Sequence, residues 1–271
     1  MKILKVAIIQ TDIVWEDKEA NLNAIEVNYF SKIHTDQVDL IILPEMFATG
    51  FTMRPSEFWE DQTGLTFQWL KNWAQKLGCS IGAGVITKNE DGYYQNTFLV
   101  YSKSGDVCHY EKRHLFRMGE ENQHYVAGQN PIILKLNNWK INLQICYDLR
   151  FPAFARNHIK TTEPAYDAMI YIANWPEIRT YAWTNLLRSR AIENQAFVIG
   201  VNRTGIDGNA VSHSGESAVI DPNGQYLLNP VVNEEGLFIL ELNSLTLSSA
   251  REKFPVLLDA DQISITDNPS S

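Results

Sequence analysis

Val38-Asp39-Leu40-Ile41-Ile42-Leu43-Pro44-Glu45 is the stretch on which the fold turns. It reads as a strand that is apolar on both faces and is stopped at Pro44, which has no N–H for a ladder. Leu4 to Gln10 upstream repeats the pattern. Between them, Asp17 to Lys32 sets Leu22, Ile25, Val27, Tyr29 and Phe30 among polar residues, which suits a helix. Downstream, about Thr63 to Leu77 gives a second helix through Leu65, Phe67, Leu70, Trp73 and Leu77, ending at Gly78, and Cys79 to Ile86 returns to strand. Strands apolar on both faces and alternating with helices imply a central sheet covered by helices.

The pattern then changes. Tyr93 to Tyr101 and Val107 to Tyr110 flank Ser102-Lys103-Ser104-Gly105-Asp106, a hairpin composition. Residues 131–136 and 140–146 form a strand pair across Asn137-Asn138. Phe151 to Ile159 starts a helix, Ala168 to Ala173 is a strand, Arg179 to Asn194 a helix and Ala196 to Asn202 a strand. The last part is strand-rich: Ser217 to Ile220, a turn at Asp221-Pro222-Asn223-Gly224, Tyr226 to Leu228, then Leu237 to Leu240. Antiparallel pairs inside an alternating chain indicate an α/β fold with mixed sheets, as in a sandwich of two. No linker, repeat or low-complexity run divides the chain. The expectation is one domain over residues 1–263 and a polar tail over 264–271.

Composition narrows the function. The formal charge of -9 gives nucleic-acid binding no electrostatic support. No apolar run approaches the ~20 residues of a membrane span, and residues 1–12 lack a signal peptide's long apolar region and cleavage site. The three cysteines, Cys79, Cys108 and Cys146, are odd in number and widely spaced, which suits reduced thiols in the cytoplasm better than a disulfide framework. The six histidines include no H-E-x-x-H arrangement for zinc, and no G-x-S-x-G elbow marks a serine hydrolase.

Three reactive side chains stand at the ends of expected strands: Glu45 after VDLIILP, Lys112 after the strand ending at Tyr110, and Cys146 at the end of INLQIC. Ligands of open α/β sheets bind beyond the carboxyl ends of strands, so these groups can converge on one cleft. Each has an ordinary reading too. Cys146 suits an inert core thiol, Glu45 a carboxylate near a helix start, and Lys112 a solvated charge in YEKRHLFRMGEE. Cys79 and Cys108 have no comparable setting.

The combination says more than its parts. Leu43-Pro44-Glu45-Met46-Phe47, then Tyr110-Glu111-Lys112-Arg113-His114-Leu115-Phe116, then Ile145-Cys146-Tyr147-Asp148-Leu149-Arg150-Phe151-Pro152 resemble, in order, the signature blocks of the nitrilase superfamily of carbon–nitrogen hydrolases. The resemblance continues through Asn174-Trp175-Pro176, Arg188 to Asn194, Asn202-Arg203 and His213-Ser214-Gly215, and covers roughly Lys5 to Asp259. It implies a four-layer α-β-β-α sandwich with two mixed central sheets, and a Glu-Lys-Cys triad. Position by position, Cys146 matches the nucleophile, Glu45 the general base and Lys112 the oxyanion stabiliser, with the Tyr147 N–H as a second oxyanion donor. Glu121 matches a supporting glutamate, with Glu120 its rival by one residue. The implied chemistry is amide hydrolysis through a thioester, without metal or organic cofactor.

The strings RHLFRM, CYDLRFP and NWP resemble the omega-amidase branch, which hydrolyses small monoamides such as 2-oxoglutaramate and 2-oxosuccinamate. A substrate with a carboxylate needs donors in the pocket. Arg113, Arg117 and Arg150 are candidates by nearness, and Tyr147, Phe116 and Trp175 are candidate walls; each serves equally as a structural residue. A nitrilase, an N-carbamoyl amino acid hydrolase and an aliphatic amidase share the triad and stand as alternatives, as does an inactive interaction module, against which the intact triad argues. The resemblance further implies a homodimer paired through the helix after Cys146 and the one around 179–194.

Overall fold

A computed structural model describes residues 2–159 and 163–265 of the chain. Its strands are β1 (Ile3–Gln10), β2 (Leu40–Ile42), β3 (Ser80–Lys88), β4 (Tyr94–Tyr101), β5 (Val107–Glu111), β6 (Ile133–Leu136), β7 (Trp139–Ile145), β8 (Ala168–Ala173), β9 (Phe197–Asn202), β10 (Thr204–Ile206), β11 (Ser212–Ile220), β12 (Tyr226–Val232) and β13 (Gly236–Asn243). The first sheet runs β13-β1-β2-β3-β4-β5 and the second β10-β11-β9-β8-β7-β6, with β12 on β11. Each is mixed: β1, β2 and β3 are parallel, as are β7, β8 and β9, and the flanking pairs are antiparallel.

Burial explains the layers. Along β1, Leu4, Val6 and Ile8 join Ile141, Leu143 and Ile170 of the second sheet in one apolar cluster. Ala7 and Ile9 join Leu22, Ile25, Leu70 and Trp73 of the helices Lys18–Asn28 and Leu65–Leu77 in another. Alternate residues of a strand point to opposite faces, so β1 is covered by helices on one side and by the other sheet on the other. The helix Thr180–Asn194 covers the second sheet through Trp183, Leu187 and Ala191. The α-β-β-α sandwich expected from the sequence is the fold. Among the described residues no helix is long and apolar enough to cross a membrane.

Several boundaries differ from the sequence reading, each for a local reason. The first helix stops at Asn28 and a 3-10 turn, Phe30–Lys32, follows it; Asp17 caps its start by accepting the Ala20 N–H at 3.0 Å. The helix expected from Phe151 is a single turn, Pro152–Ala155. The Asn157 N–H and amide are instead held by Asn194 Oδ1 at 2.8 Å and Asn194 O at 3.0 Å, which turns the chain away. Strand β11 begins at Ser212 rather than Ser217, and the helix Ser244–Lys253 was not read from the sequence at all. Of the expected tail, residues 266–271 lie outside the described residues.

Candidate functional site

Strands β2, β5, β7 and β8 all end at one pole of the sandwich, and the residues just past those ends meet there. Glu45 is fully buried. Its Oε1 accepts from Lys112 Nζ at 2.8 Å and from Asn96 Nδ2 at 2.7 Å, and its Oε2 from the Asn174 N–H at 2.8 Å. The Asn174 amide also donates to the Glu45 carbonyl. Glu45 belongs to the first sheet and Asn174 to the second, so these bonds stitch the sheets together at the site. Gly84 on β3 lies under the turn, because a Cβ there would sit 2.5 Å from Glu45 Cα. Only glycine permits that approach of two backbones.

Lys112 is buried between two carboxylates. Besides Glu45, its Nζ donates to Glu121 Oε2 at 2.9 Å and Oε1 at 3.1 Å. Burial opposes the Lys112 ammonium, but Glu121 and Glu45 outweigh it and hold its pKa above the ordinary lysine value. Burial raises the Glu121 carboxyl, with the Lys112 charge pulling the other way. Asn96 Nδ2 bridges the carboxylates, reaching Glu121 Oε1 at 2.9 Å, and the Phe116 N–H donates to Glu121 Oε2 at 2.6 Å. Of the two adjacent glutamates, Glu121 faces Lys112, while Glu120 is exposed in left-handed backbone, φ 58°.

Cys146 does not end β7; it opens the 3-10 turn Cys146–Arg150 with φ 45°, an uncommon value for a non-glycine residue. The turn is anchored by Asp148. Its Oδ2 accepts from the Ile145 N–H at 3.0 Å and the Tyr110 hydroxyl at 2.8 Å, and its Oδ1 from the His114 N–H at 3.0 Å. His114 Nδ1 is 2.7 Å from the same Oδ1, so His114 braces this turn. Burial pushes the Cys146 thiol well above its ordinary pKa, Glu45 adds to the shift and Lys112 opposes it. The resting group is therefore a neutral thiol beside a carboxylate. The Tyr147 N–H lies in the first turn of the short helix, where amides lack intrahelical acceptors. Cys79 and Cys108 sit apart from this cluster, with thiol pKa values raised by burial, Cys79 to about 12.

Cys146 lines a cavity of about 370 Å³. Phe116, Tyr147 and Trp175 line it, and Arg150 stands in it with its guanidinium 4.9 Å from the Trp175 ring centroid. The other two arginines singled out do not line it. Arg113 Nη1 donates to Gln129 Oε1 at 2.6 Å, and Arg117 is exposed. Sequence reasoning missed Arg179, which does line the cavity, and Asn96, which stands among the polar residues Gln95-Asn96-Thr97 at the start of β4 and so carried no distinct signal. Among the described residues no group of three His, Cys, Asp or Glu side chains is arranged to hold a metal.

The far wall is the β10–β11 hairpin, which brings Asp207, Asn209, Val211 and His213 to the cavity. Buried Arg203 fixes its base by donating to Asp12 Oδ1 at 2.5 Å and to Thr204 O at 2.9 Å. Burial, then the Arg203 charge, lowers the His213 pKa to about 4, with Asp207 and the carbonyls of Val211 and Gly205 opposing. Unfolded histidine titrates near 6.5, so between pH 6.5 and 4 the unfolded chain binds the proton that folded His213 refuses. Stability present above pH 6.5 is therefore lost as pH falls toward 4, by up to about 3 kcal/mol. His213→Asn is expected to lack this component. Urea midpoints followed from pH 7 to 4 will fall less steeply in the variant, and parallel curves would refute the assignment.

The carbon-nitrogen hydrolase family model matches residues 5–252. The omega-amidase YafV of Escherichia coli (strain K12) is 39% identical over 259 residues, 96% of this chain and 97% of that protein. The 2-oxoglutaramate amidase of Bacillus subtilis (strain 168) is 34% identical over 258 residues, covering 94% and 96%. Among solved structures, a CN-hydrolase superfamily protein of Xanthomonas campestris with an arsenic adduct in its active site superposes with a TM-score of 0.94 at 36% identity, covering 98% of this chain and 100% of that one.

Proposed function

Since this chain belongs to the carbon-nitrogen hydrolase family, we propose that it hydrolyses a small amide carrying a carboxylate at its far end, of the kind represented by 2-oxoglutaramate and 2-oxosuccinamate, with Cys146 as nucleophile. The observation that carries this reading is the placement of the Cys146 thiol between the buried Glu45–Lys112–Glu121 cluster and a mostly apolar cavity whose wall holds Arg150. The printed activities of the omega-amidase and 2-oxoglutaramate amidase relatives point the same way.

In the first half-reaction Glu45 takes the thiol proton as Cys146 Sγ attacks the amide carbon. The C–S bond forms, the C=O pair moves to oxygen, and the oxyanion is met by the Lys112 ammonium and the Tyr147 N–H. Protonated Glu45 then passes its proton to the amide nitrogen, the C–N bond breaks, and ammonia leaves a thioester. In the second half, Glu45 deprotonates water, hydroxide adds to the thioester, and the C–S pair returns to sulfur with the proton. Glu121 touches Lys112 and holds it for both halves. The raised Cys146 pKa fits this sequence, in which the thiol is deprotonated by its neighbour during attack rather than stored as thiolate.

The test is ammonia release from 2-oxoglutaramate, with glutamine and a simple nitrile as controls. Release from the oxo-amide above both controls is expected. Activity confined to a control would discard the substrate class, and silence on all three would count against the reading.

We also propose a homodimer. The helix Thr180–Asn194 leaves Tyr181 84% and Ile192 50% exposed, and Ile178 just before it 87% exposed, apolar surface that a second copy would cover. Light scattering at micromolar concentration is expected to give twice 30.9 kDa, and the monomer mass would sink the idea.

A further inference from the structure

Arg150 and Arg179 both line the cavity that holds Cys146. Each guanidinium rests within cation–π range of an aromatic wall, Arg150 4.9 Å from the Trp175 centroid and Arg179 5.6 Å from that of Phe116. Neither forms an ion pair among the described residues. The Arg179 side chain donates only to Met118 Sδ at 3.8 Å, a weak acceptor. Nearby acids are already engaged. Glu177 accepts from Ser212 Oγ. Asp207, the one carboxylate among the described lining residues, accepts the N–H groups of Asn209 at 2.8 Å and Val211 at 3.0 Å.

The backbone of Arg179 is fixed as well. Trp175 Nε1 donates to its carbonyl at 2.9 Å, and the Trp175 N–H donates to Asn202 Oδ1 at 2.7 Å. Trp175, Arg179 and Phe116 thus form one connected stretch of the cavity that Cys146 also lines. Two guanidiniums with free donors in a mostly apolar cavity make a receptor for an anion with more than one acceptor atom. One guanidinium satisfies a carboxylate edge. A second reaches the other lone pairs, or an oxo group beside the carboxylate.

We propose that Arg179 is a specificity-determining residue that completes, with Arg150, a two-guanidinium receptor for the anionic end of the substrate. This deepens the amide-hydrolase reading above and rests on it. A receptor that meets the anionic end of the substrate rather than its reacting carbon contributes to bound substrate and transition state alike. Removing it raises KM and leaves kcat nearly unchanged.

The test pairs succinamate with butyramide, which replaces the carboxylate by a methyl group at similar size. In Arg179→Gln, KM for succinamate is expected to rise at least about tenfold, with kcat within roughly threefold and kcat/KM for butyramide unchanged. Arg179→Lys, a charge without the planar fork, is expected to recover part of the succinamate preference. Succinate titrated into Cys146→Ala protein by calorimetry gives a readout free of turnover, and its Kd is expected to weaken by a similar factor when Arg179→Gln is added. An equal loss on both amides would mean that Arg179 only shapes the rim, and an unchanged succinamate-to-butyramide ratio would mean that it does not meet the carboxylate; either overturns the inference while the hydrolase reading stands. Wild-type protein silent on both amides would overturn the underlying reading and the inference with it.

Discussion

Lys112→Met is expected to inactivate the protein and to destabilise it by about 3–5 kcal/mol at pH 8, the usual cost of removing one partner of a buried ion pair. Methionine fills much of the volume, so the loss is electrostatic. Glu45 and Glu121 both lean on the ammonium at 2.8–3.1 Å, and neither has water to replace it. Without the cation, nothing opposes the burial that raises the Glu121 carboxyl, and its folded-state pKa climbs further above that of the unfolded chain. The folded variant then binds more protons than the unfolded one, and its stability falls as pH rises through the neutral range. The gap from wild type will therefore widen from pH 5 to 8 in urea titrations. Activity loses an oxyanion donor, roughly 10²–10³ alone, together with the positioned base. A variant within 1 kcal/mol of wild type at pH 8, or within tenfold of its rate, would show that the cluster is not organised by this charge.

Cys146→Ala separates chemistry from stability. Turnover is expected to drop by roughly 10⁴-fold or more, the scale seen when a covalent nucleophile is deleted. Stability is expected to stay within about 1 kcal/mol, because the side chain loses one atom at the edge of an open cavity and the backbone anchors on Asp148 remain. Alanine also meets the same φ of 45° that cysteine does. Ammonia release with urea midpoints checks both. A residual rate above about one percent, well over what the remaining groups supply once a nucleophile is deleted, would place the nucleophile elsewhere.

What the sequence disclosed follows from which forces are local. Glu45 and Cys146 each follow an apolar run whose end can be read, and those runs specified the layers, but Lys112 follows Val107-Cys108-His109-Tyr110-Glu111, and it was the resemblance of three blocks to a known superfamily that singled out the three as a set. Asn96 was not legible, since only the pairing of β4 with β5 sets it against Lys112, whose N–H donates to the Asn96 carbonyl at 2.9 Å. Arg113 misled for a related reason. The chain bends at Arg113 just past β5, and its side chain turns to Gln129 rather than into the cluster that holds Lys112. Arg179 opens a helix after Pro176, and nothing in its local composition tells which way that start is aimed. Glu120 and Glu121 differ by one position in sequence, and only the left-handed turn at Glu120 decides which carboxylate enters.

Strand β13 lies beside β1 along its whole length, Ile3 opposite Asn243 and Gln10 opposite Gly236. A polypeptide made from its amino end exposes β1 first and holds that edge open until more than two hundred residues have followed. Such a pairing closes a loop of more than two hundred residues, and contacts so distant in sequence form slowly. Glu45 and Lys112 stand on that sheet, Cys146 and Asn174 on its neighbour. A growing chain therefore carries Glu45, Lys112 and Cys146 well before it has the sheet that aims them, and hydrolysis is expected to begin only once β1 and β13 have met.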